Sequence, residues 1–311
     1  IMNIPINQHY VPQFLLMNFK IIKKRDKESS IFIFDKRTIK EYQAAIKSTA
    51  TGRHFYEVKD KNFTIEDKLG EYECLAGPIV CKIIENKNIK SLTKKEKSII
   101  TKFICLQLLR VPAMRNSLID LTEAFEQQFN FFENSGISKP TEEDEKITHC
   151  DFILNNVDTF FPFVYSKDWV LCESNNADYI IGDNPVVLNN TINEGRGGLG
   201  IATKGVEIYM PLSPKYCLLL VCNSVRKNIE EKLANLPTDV RKQASAEKAK
   251  RFAKILNSSG VINSYPENVI FVNSLQVLFS ERFLYSHKQE FSLPHQMVSE
   301  YGNNSRMLKI Y

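Results

Sequence analysis

The sequence predicts an α+β fold, in which strands and helices occupy separate stretches of the chain. Short segments with alternating apolar residues mark residues 1–60, and apolar residues at helical spacing then fill residues 64–160. A second group of strand-like segments follows around residues 168–222, before further helices. Because this order is not a regular β-α-β alternation, we expect an antiparallel or mixed sheet around 168–222.

Composition and charge exclude few function classes. The chain has 311 residues with 43% apolar and 25% charged residues and a net charge of +5. That charge permits a nucleic acid or a nucleotide as partner without requiring one. The seven cysteines show no metal-ligand spacing, and most lie in apolar runs, as reduced buried thiols do. No apolar run approaches the roughly 20 residues that cross a bilayer, so we expect a cytoplasmic protein with no membrane partner.

The first element contains a histidine held next to a proline. In NQHYVPQFLLMNF, Pro12 fixes its own backbone and biases Val11 towards an extended form. His9 held in this way can serve as a general base or a metal ligand, or it can simply cap a turn. SIFIFDK and GRHFYEV then alternate as short strands do.

The helical lobe, about residues 64–160, begins at Thr64. We expect a break at Gly77–Pro78. Glu66 and Glu73 are two turns apart on one helical face, about 10 Å along the axis. Glu73 can therefore enter a site as a metal ligand, or it can belong to a solvated face.

The most apolar helix is predicted to begin at the Thr93 cap and to stop at Pro112. Arg110 and Arg115 flank that proline in LLRVPAMR. Guanidinium groups grip phosphates and carboxylates through paired donors, so both are candidate substrate-binding residues. The alternative is a structural ion pair, for example of Arg110 with Glu73. Helical spacing resumes in residues 114–133 and 141–160.

The second group of strands contains the remaining acidic candidate. DWVLCES, DYIIGDNPVVL, VEIYMPLSP and YCLLLVC are predicted strands. Asp183 ends a buried strand, where a metal ligand or a catalytic acid is often found, although Asp-Asn-Pro is also a turn signature. Residues 225–258 and 266–286 are predicted helices, and the tail at 291–311 is poorly patterned. One α+β domain over residues 1–290 is the simplest arrangement.

The remaining polar segments are weaker indications of a functional site. The scattered histidines, His149 among them, lack helpers nearby in the sequence, and NEGRGGLG lacks the lysine of a phosphate-binding loop. Lys94, Lys95 and Lys97 are expected on a solvated helix face. The better candidate for a nucleic-acid patch is Arg241, Lys242, Lys248, Lys250 and Arg251.

Taken together and in order, these motifs resemble an uncharacterised bacterial and phage-associated family of unknown function whose members begin with HYVPxFxLxxF. The elements that carry the resemblance are His9 to Pro12, Arg53, Phe55-Tyr56, Glu66, Glu73, Arg110-Pro112-Arg115, Asp183-Pro185, Pro211 to Pro214, Asn273 and Ser286. The resemblance covers about residues 7–286 and implies a shared architecture with one polar site. The family often has arginine at Met17 and Ser or Thr at Gly182.

These observations lead to two main hypotheses, and a purely structural interaction protein is a third alternative. The first is a hydrolase of a phosphate-containing substrate, best pictured as a nuclease-like effector of a phage-defence or toxin system. Its catalytic residues are His9, Glu73, Arg110, Arg115 and Asp183, with Mg²⁺ or Mn²⁺ at Glu73 and Asp183; no organic cofactor is indicated. The second is a binding module in which the same groups form a buried network that shapes a pocket for a nucleotide or a protein.

Overall fold

The computed structural model describes residues 6–22, 28–58, 63–191, 200–237 and 243–302, and it confirms the α+β class. The helices are α1 (Gln13–Met17), α2 (Glu66–Asn86), α3 (Lys94–Leu109), α4 (Pro112–Phe129), α5 (Phe131–Ser135), α6 (Glu142–Tyr165), α7 (Asn223–Ala234), α8 (Ala244–Asn257), α9 (Pro266–Phe279) and α10 (Ser292–Tyr301), with a 3₁₀ turn at Ile46–Ser48. No helix in these ranges is long and apolar enough to cross a membrane.

Strands fall into two larger sheets and two strand pairs. They are β1 (Asn7–His9), β2 (Ser30–Asp35), β3 (Lys40–Ala45), β4 (Thr51–Arg53), β5 (Glu57–Val58), β6 (Phe63–Thr64), β7 (Asp168–Ser174), β8 (Ile181–Gly182), β9 (Val187–Asn189), β10 (Glu207–Pro211), β11 (Tyr216–Val221), β12 (Val261–Ser264) and β13 (Phe283–Ser286). β1 pairs with β4, and β5 with β6, both antiparallel.

The larger sheet has the order β12-β7-β11-β10-β9. Its pairs are antiparallel except β12 with β7, which is parallel, so the mixed sheet predicted around 168–222 is confirmed. The other sheet has the order β3-β2-β13-β8 and joins the two ends of the chain.

Proline acts differently in α2 and after α3. The break expected at Gly77–Pro78 is wrong, because α2 runs unbroken through Pro78. Pro78 is exposed while Ala76 and Val80 are fully buried, so core packing holds the helix and water can hydrate the carbonyl that the proline leaves unpaired. The break at Pro112 is confirmed, since α3 ends at Leu109 and α4 begins at the proline.

Helix starts follow the predicted caps only in part. Thr93 and Glu96 form the expected capping box at the start of α3. α2 instead begins after Ile65, and the Thr64 hydroxyl accepts a hydrogen bond from the Glu66 amide at 3.2 Å.

The C-terminal part differs from the prediction in two places. The helix expected over 266–286 is wrong beyond Phe279, because residues 283–286 form β13, which pairs with β2. The buried Asp183 side chain accepts hydrogen bonds from three successive amides at 281–283 and so fixes the turn between α9 and β13. Residues 292–301 of the poorly patterned segment form α10, whose Met297 and Val298 are buried.

A large apolar cluster positions the first strand beside the helical lobe. Side chains from α1, α2, α3 and α6 share this core, among them Leu15, Ala76, Phe103 and Ile153. Burial of these side chains is the main favourable term in folding. It brings the C-terminal end of α3 against β1, where the polar candidates meet.

Candidate functional site

Arg110 is a fully buried cation that joins three segments of the chain. Its Nη1 donates to Glu73 Oε1 at 2.6 Å, its Nη2 donates to the backbone oxygen of His9, and its Nε donates to the Tyr56 hydroxyl oxygen at 3.3 Å. The Tyr56 hydroxyl donates to the Arg110 carbonyl at 2.7 Å. The ion pair with Glu73, one of the two alternatives for these residues, is therefore present.

The local sequence explains why a charged residue lies here. The proline at position 112 ends α3, and Arg110 is the C-cap residue of that helix. Burial opposes the charge of the guanidinium, but Tyr56 and Glu73 outweigh it and raise the pKa of Arg110. Arg110 thus stays a cation fixed by the fold.

Glu66 lies beside this pair. Burial raises the pKa of Glu66 to about 7, Arg110 opposes the rise, and Glu73 and Asp67 add to it. Its Oε2 is buried and has no hydrogen-bond partner among the described residues. Glu66 can therefore exchange a proton near neutral pH.

His9 is a second residue in which burial shifts the pKa and one buried atom is unpaired. Burial lowers the pKa of His9, a backbone hydrogen bond with Ile46 and the charge of Glu73 oppose that change, and Arg110 reinforces it. Its Nε2 is buried without a hydrogen-bond partner in the described part of the chain. The imidazole is neutral near pH 7 and keeps one nitrogen available.

Two glutamines add further unpaired atoms around β1. Gln8 accepts the Tyr56 amide at 2.5 Å and Gln107 donates to the Tyr10 carbonyl at 2.8 Å, which leaves Gln8 Nε2 and Gln107 Oε1 buried without partners in the described ranges. Buried polar atoms are normally paired, by protein, water or a ligand. We call His9, Glu66, Glu73 and Arg110, with the two glutamines, the β1 cluster.

Arg115 is close to this cluster but fixed by its own contacts. Its guanidinium lies 3.7 Å from the centre of the Phe55 ring and donates to the Phe55 carbonyl at 2.6 Å and to His149 Nδ1 at 3.2 Å. His149 Nε2 lies 2.8 Å from the Leu109 carbonyl, so Nε2 carries the proton. Burial and then Arg115 lower the pKa of His149 to about 3. The partner of His149 is thus distant in the sequence, where no helper lies nearby.

Asp183 belongs to a separate network. Its carboxylate accepts the backbone amides of Glu281, Arg282 and Phe283 at 2.7, 2.7 and 2.8 Å. Burial raises the pKa of Asp183 to about 6, although these amides and Lys36 oppose the rise. No hydrogen bond or ion pair of the described residues joins Asp183 to the β1 cluster, but burial and then the charge of Asp183 raise the pKa of Tyr10, the residue after His9.

The structure thus gathers His9, Glu73 and Arg110, places Arg115 beside them and sets Asp183 apart. Glu66 was noted for its spacing to Glu73 but not predicted as a site residue, and Gln8 and Gln107 were missed. A glutamine inside the apolar run FICLQLL was the available signal for Gln107.

Metal and nucleic-acid expectations remain predictions. The described part of the chain contains no group of three or more His, Cys, Asp or Glu side chains placed to hold a metal ion. Both oxygens of Asp183 accept backbone amides, and Oε1 of Glu73 accepts from Arg110. Of the predicted basic patch, Lys248, Lys250 and Arg251 are exposed on α8. Arg241, Lys242 and most of NEGRGGLG lie outside the described residues.

A family model described as "Protein of unknown function (DUF4238)" matches residues 7–290. No curated protein and no solved structure matches the chain.

Proposed function

This chain belongs to the DUF4238 family, and within that family we propose that it is a hydrolase of a phosphate-containing substrate, with His9 and Glu66 as its acid–base pair. The observation that carries the proposal is that two proton-exchanging side chains, each with a buried unpaired atom, lie beside the same Arg110–Glu73 ion pair. Enzymes place such pairs where a proton must be both removed and supplied.

Three residues of the β1 cluster, His9, Glu66 and Arg110, have a direct role in this proposed reaction. His9 Nε2 takes a proton from a water molecule as its oxygen bonds to phosphorus, and protonated Glu66 gives its proton to the departing oxygen. Arg110 is a positioning residue, because it holds the His9 carbonyl and balances Glu73. The pKa of Glu66 near 7 supports its role as the acid.

The substrate class rests on the positive charge beside the cluster. Burial raises the pKa of Tyr56 to about 12, and the charges of Arg110 and Arg115 oppose that rise, so both charges reach this end of α3. Cations that are fixed before the reaction stabilise charge that develops on phosphate oxygens. We propose phosphodiester or nucleotide bonds as targets, and a nuclease-like effector of phage defence or a toxin as the biological role.

One observation favours a second candidate, a non-catalytic binding module. The hydrogen bonds of Arg110, Arg115 and Asp183 go to protein groups. A satisfied buried network can specify the shape of a pocket without any chemistry. In that case the unpaired atoms around β1 bind a nucleotide or a protein that is not cleaved.

Turnover assays separate the two candidates. We would incubate the protein with RNA, single- and double-stranded DNA and nucleotides, each with Mg²⁺, Mn²⁺ or EDTA. The variants are His9→Gln and Glu66→Gln, and the matched control is Glu71→Gln, which alters an exposed carboxylate on the same helix. We expect each cluster variant to lose about 10²-fold or more in rate, with the control unchanged.

The same experiment can reject the proposal. Absence of turnover under every condition, together with measurable nucleotide binding, would establish the binding module instead. An activity loss in His9→Gln that only follows the loss of folded protein, measured by circular dichroism, would remove His9 from the chemistry. For the effector role, expression of the wild type should slow bacterial growth and His9→Gln should relieve it.

A further inference from the structure

A second polar site lies at the opposite end of α3. Here a cavity of about 330 Å³ is formed by the α2–α3 loop, the first turn of α3, Trp169 of β7 and the residues after α8. Its volume is in the range of small-molecule sites. Lys97 and Arg110 stand at the two ends of the 16-residue α3, roughly 20 Å apart along its axis, so this cavity is distinct from the β1 cluster.

Lys97 is the central cation of this cavity. Its Nζ lies 4.8 Å from the centre of the Tyr165 ring and 5.1 Å from that of Trp169. Burial lowers the pKa of Lys97, and Asp168 only partly offsets this. No carboxylate of the described residues forms an ion pair with it. Lys97 is half-buried, so it is less solvated than Lys94 and Lys95, and two aromatic rings lie close to its ammonium group.

The other polar residues that line the cavity carry no negative charge. Lys90 contributes a second ammonium group, and Asn257, Ser258 and Ser259 contribute an amide and two hydroxyls. Among the described residues, the side chains of Lys90, Asn257 and Ser259 have no hydrogen-bond partner. Ser259 has a φ of +49°, a left-handed conformation that ends α8, since the Gly260 amide donates to the Ile255 carbonyl at 3.0 Å.

We propose that this cavity binds the phosphate group of a small phosphate monoester. The ammonium groups of Lys90 and Lys97 would pair with the phosphate oxygens, and the hydroxyl of Ser259 and the amide of Asn257 would donate hydrogen bonds to them. Apolar lining from Ile89 and Leu92 would cover the organic part of the ligand.

The charge of the lining selects the ligand class. A phosphate monoester carries about −1.5 to −2 at neutral pH, which matches two lysines with no acidic neighbour in the lining. A carboxylate would neutralise only one of them. A polynucleotide offers a single charge at each phosphate and is bound along a continuous basic track.

Calorimetric titration tests the proposal. The probes are adenosine 5′-monophosphate, glucose 6-phosphate and inorganic phosphate, with adenosine as the ligand that lacks the phosphate and a single-stranded oligodeoxynucleotide as the polymer. Lys97→Met keeps the aliphatic stem and removes the charge. Lys94→Gln is the matched control, since Lys94 is exposed on the same turn and outside the lining.

We expect the two esters to bind and adenosine not to bind. Lys97→Met should weaken binding by about tenfold or more, the loss of one charge-assisted hydrogen bond, and Lys94→Gln should leave Kd unchanged. If Lys97→Met fails to fold, Lys90→Gln, at an exposed position, decides by the same criterion.

Three results would overturn the proposal. These are an absence of binding by both esters at millimolar concentration, equal binding of adenosine and its monophosphate, and tighter binding of the oligonucleotide than of either ester. Retention of ester binding by both lysine variants would place the phosphate elsewhere on the protein and would also overturn it.

Discussion

Replacing Arg110 by methionine tests whether the Arg110–Glu73 pair stabilises the fold. The change keeps an apolar chain of similar length and removes the donors to Glu73, to the His9 carbonyl and to the Tyr56 hydroxyl oxygen. Removing one partner of a buried ion pair typically costs about 3–5 kcal/mol. The Glu73 side chain is 25% exposed and can be hydrated, so we place the loss near the lower end, about 3 kcal/mol.

Urea denaturation followed by tryptophan fluorescence measures this loss. Trp169 is the single tryptophan of the chain and is only 2% exposed, so unfolding changes its environment. A loss of about 3 kcal/mol lowers the midpoint by about 1 M urea or more. The matched control is Arg37→Met, which breaks a pair with Glu281 in which the arginine side chain is 57% exposed and should cost less than about 1 kcal/mol.

Two results would refute the reasoning about this pair. One is a loss in Arg110→Met no larger than in Arg37→Met. The other is strict additivity of Arg110→Met and Glu73→Met in the double variant, since residues in direct contact should show a coupling energy.

Three further changes probe the rest of the structure. Glu66 has a folded-state pKa of about 7, against an ordinary value of 4.5. Between these two pH values the folded chain binds more protons than the unfolded chain, so stability falls as pH rises. Glu66→Gln should therefore flatten the dependence of Tm on pH, and an unchanged slope would contradict the raised pKa. Asp183→Asn should lower the free energy of unfolding by about 1–3 kcal/mol, because an amide nitrogen cannot accept the turn's backbone amides; unchanged urea unfolding would contradict that role. Gly52→Ala should lower Tm, since the new Cβ would lie 2.6 Å from the Phe55 ring. Gly70→Ala would place its Cβ more than 4 Å from any neighbour and should raise the free energy of unfolding by about 1 kcal/mol. Equal shifts of Tm in the two variants would refute this contrast.

The sequence correctly predicted helix ends that depend only on residues close by in the chain. The capping box at Thr93 and the stop at Pro112 depend on backbone groups within a few residues, so the sequence shows them directly. The same rule failed at Pro78, because buried neighbours from distant segments hold α2 together. The helix expected to continue after Phe279 failed for a similar reason, since Asp183 sets the turn there across a wide separation in sequence.

The candidate site was predicted in its residue types and only partly in its arrangement. Helical spacing placed Glu66 and Glu73 on one face, and the proline placed Arg110 at a helix end. Which atoms remain unpaired depends on how β1 docks, and that depends on packing between segments far apart in the sequence. Gln8 therefore became visible as a site residue only in the folded chain, whereas Gln107 had one signal in the sequence, its place inside an apolar run.

The pairing of β2 with β13 has a consequence for how the protein forms on the ribosome. Residues 32–35 find their partners at residues 283–286, so the emerging chain carries one edge of β2 open until residues 283–286 have been synthesised. Contacts this distant in sequence slow folding, and an exposed apolar strand edge can join another chain in the meantime. Truncated products that lack β13 should therefore aggregate through β2, and a chaperone that shields strand edges should raise the yield of the full-length protein.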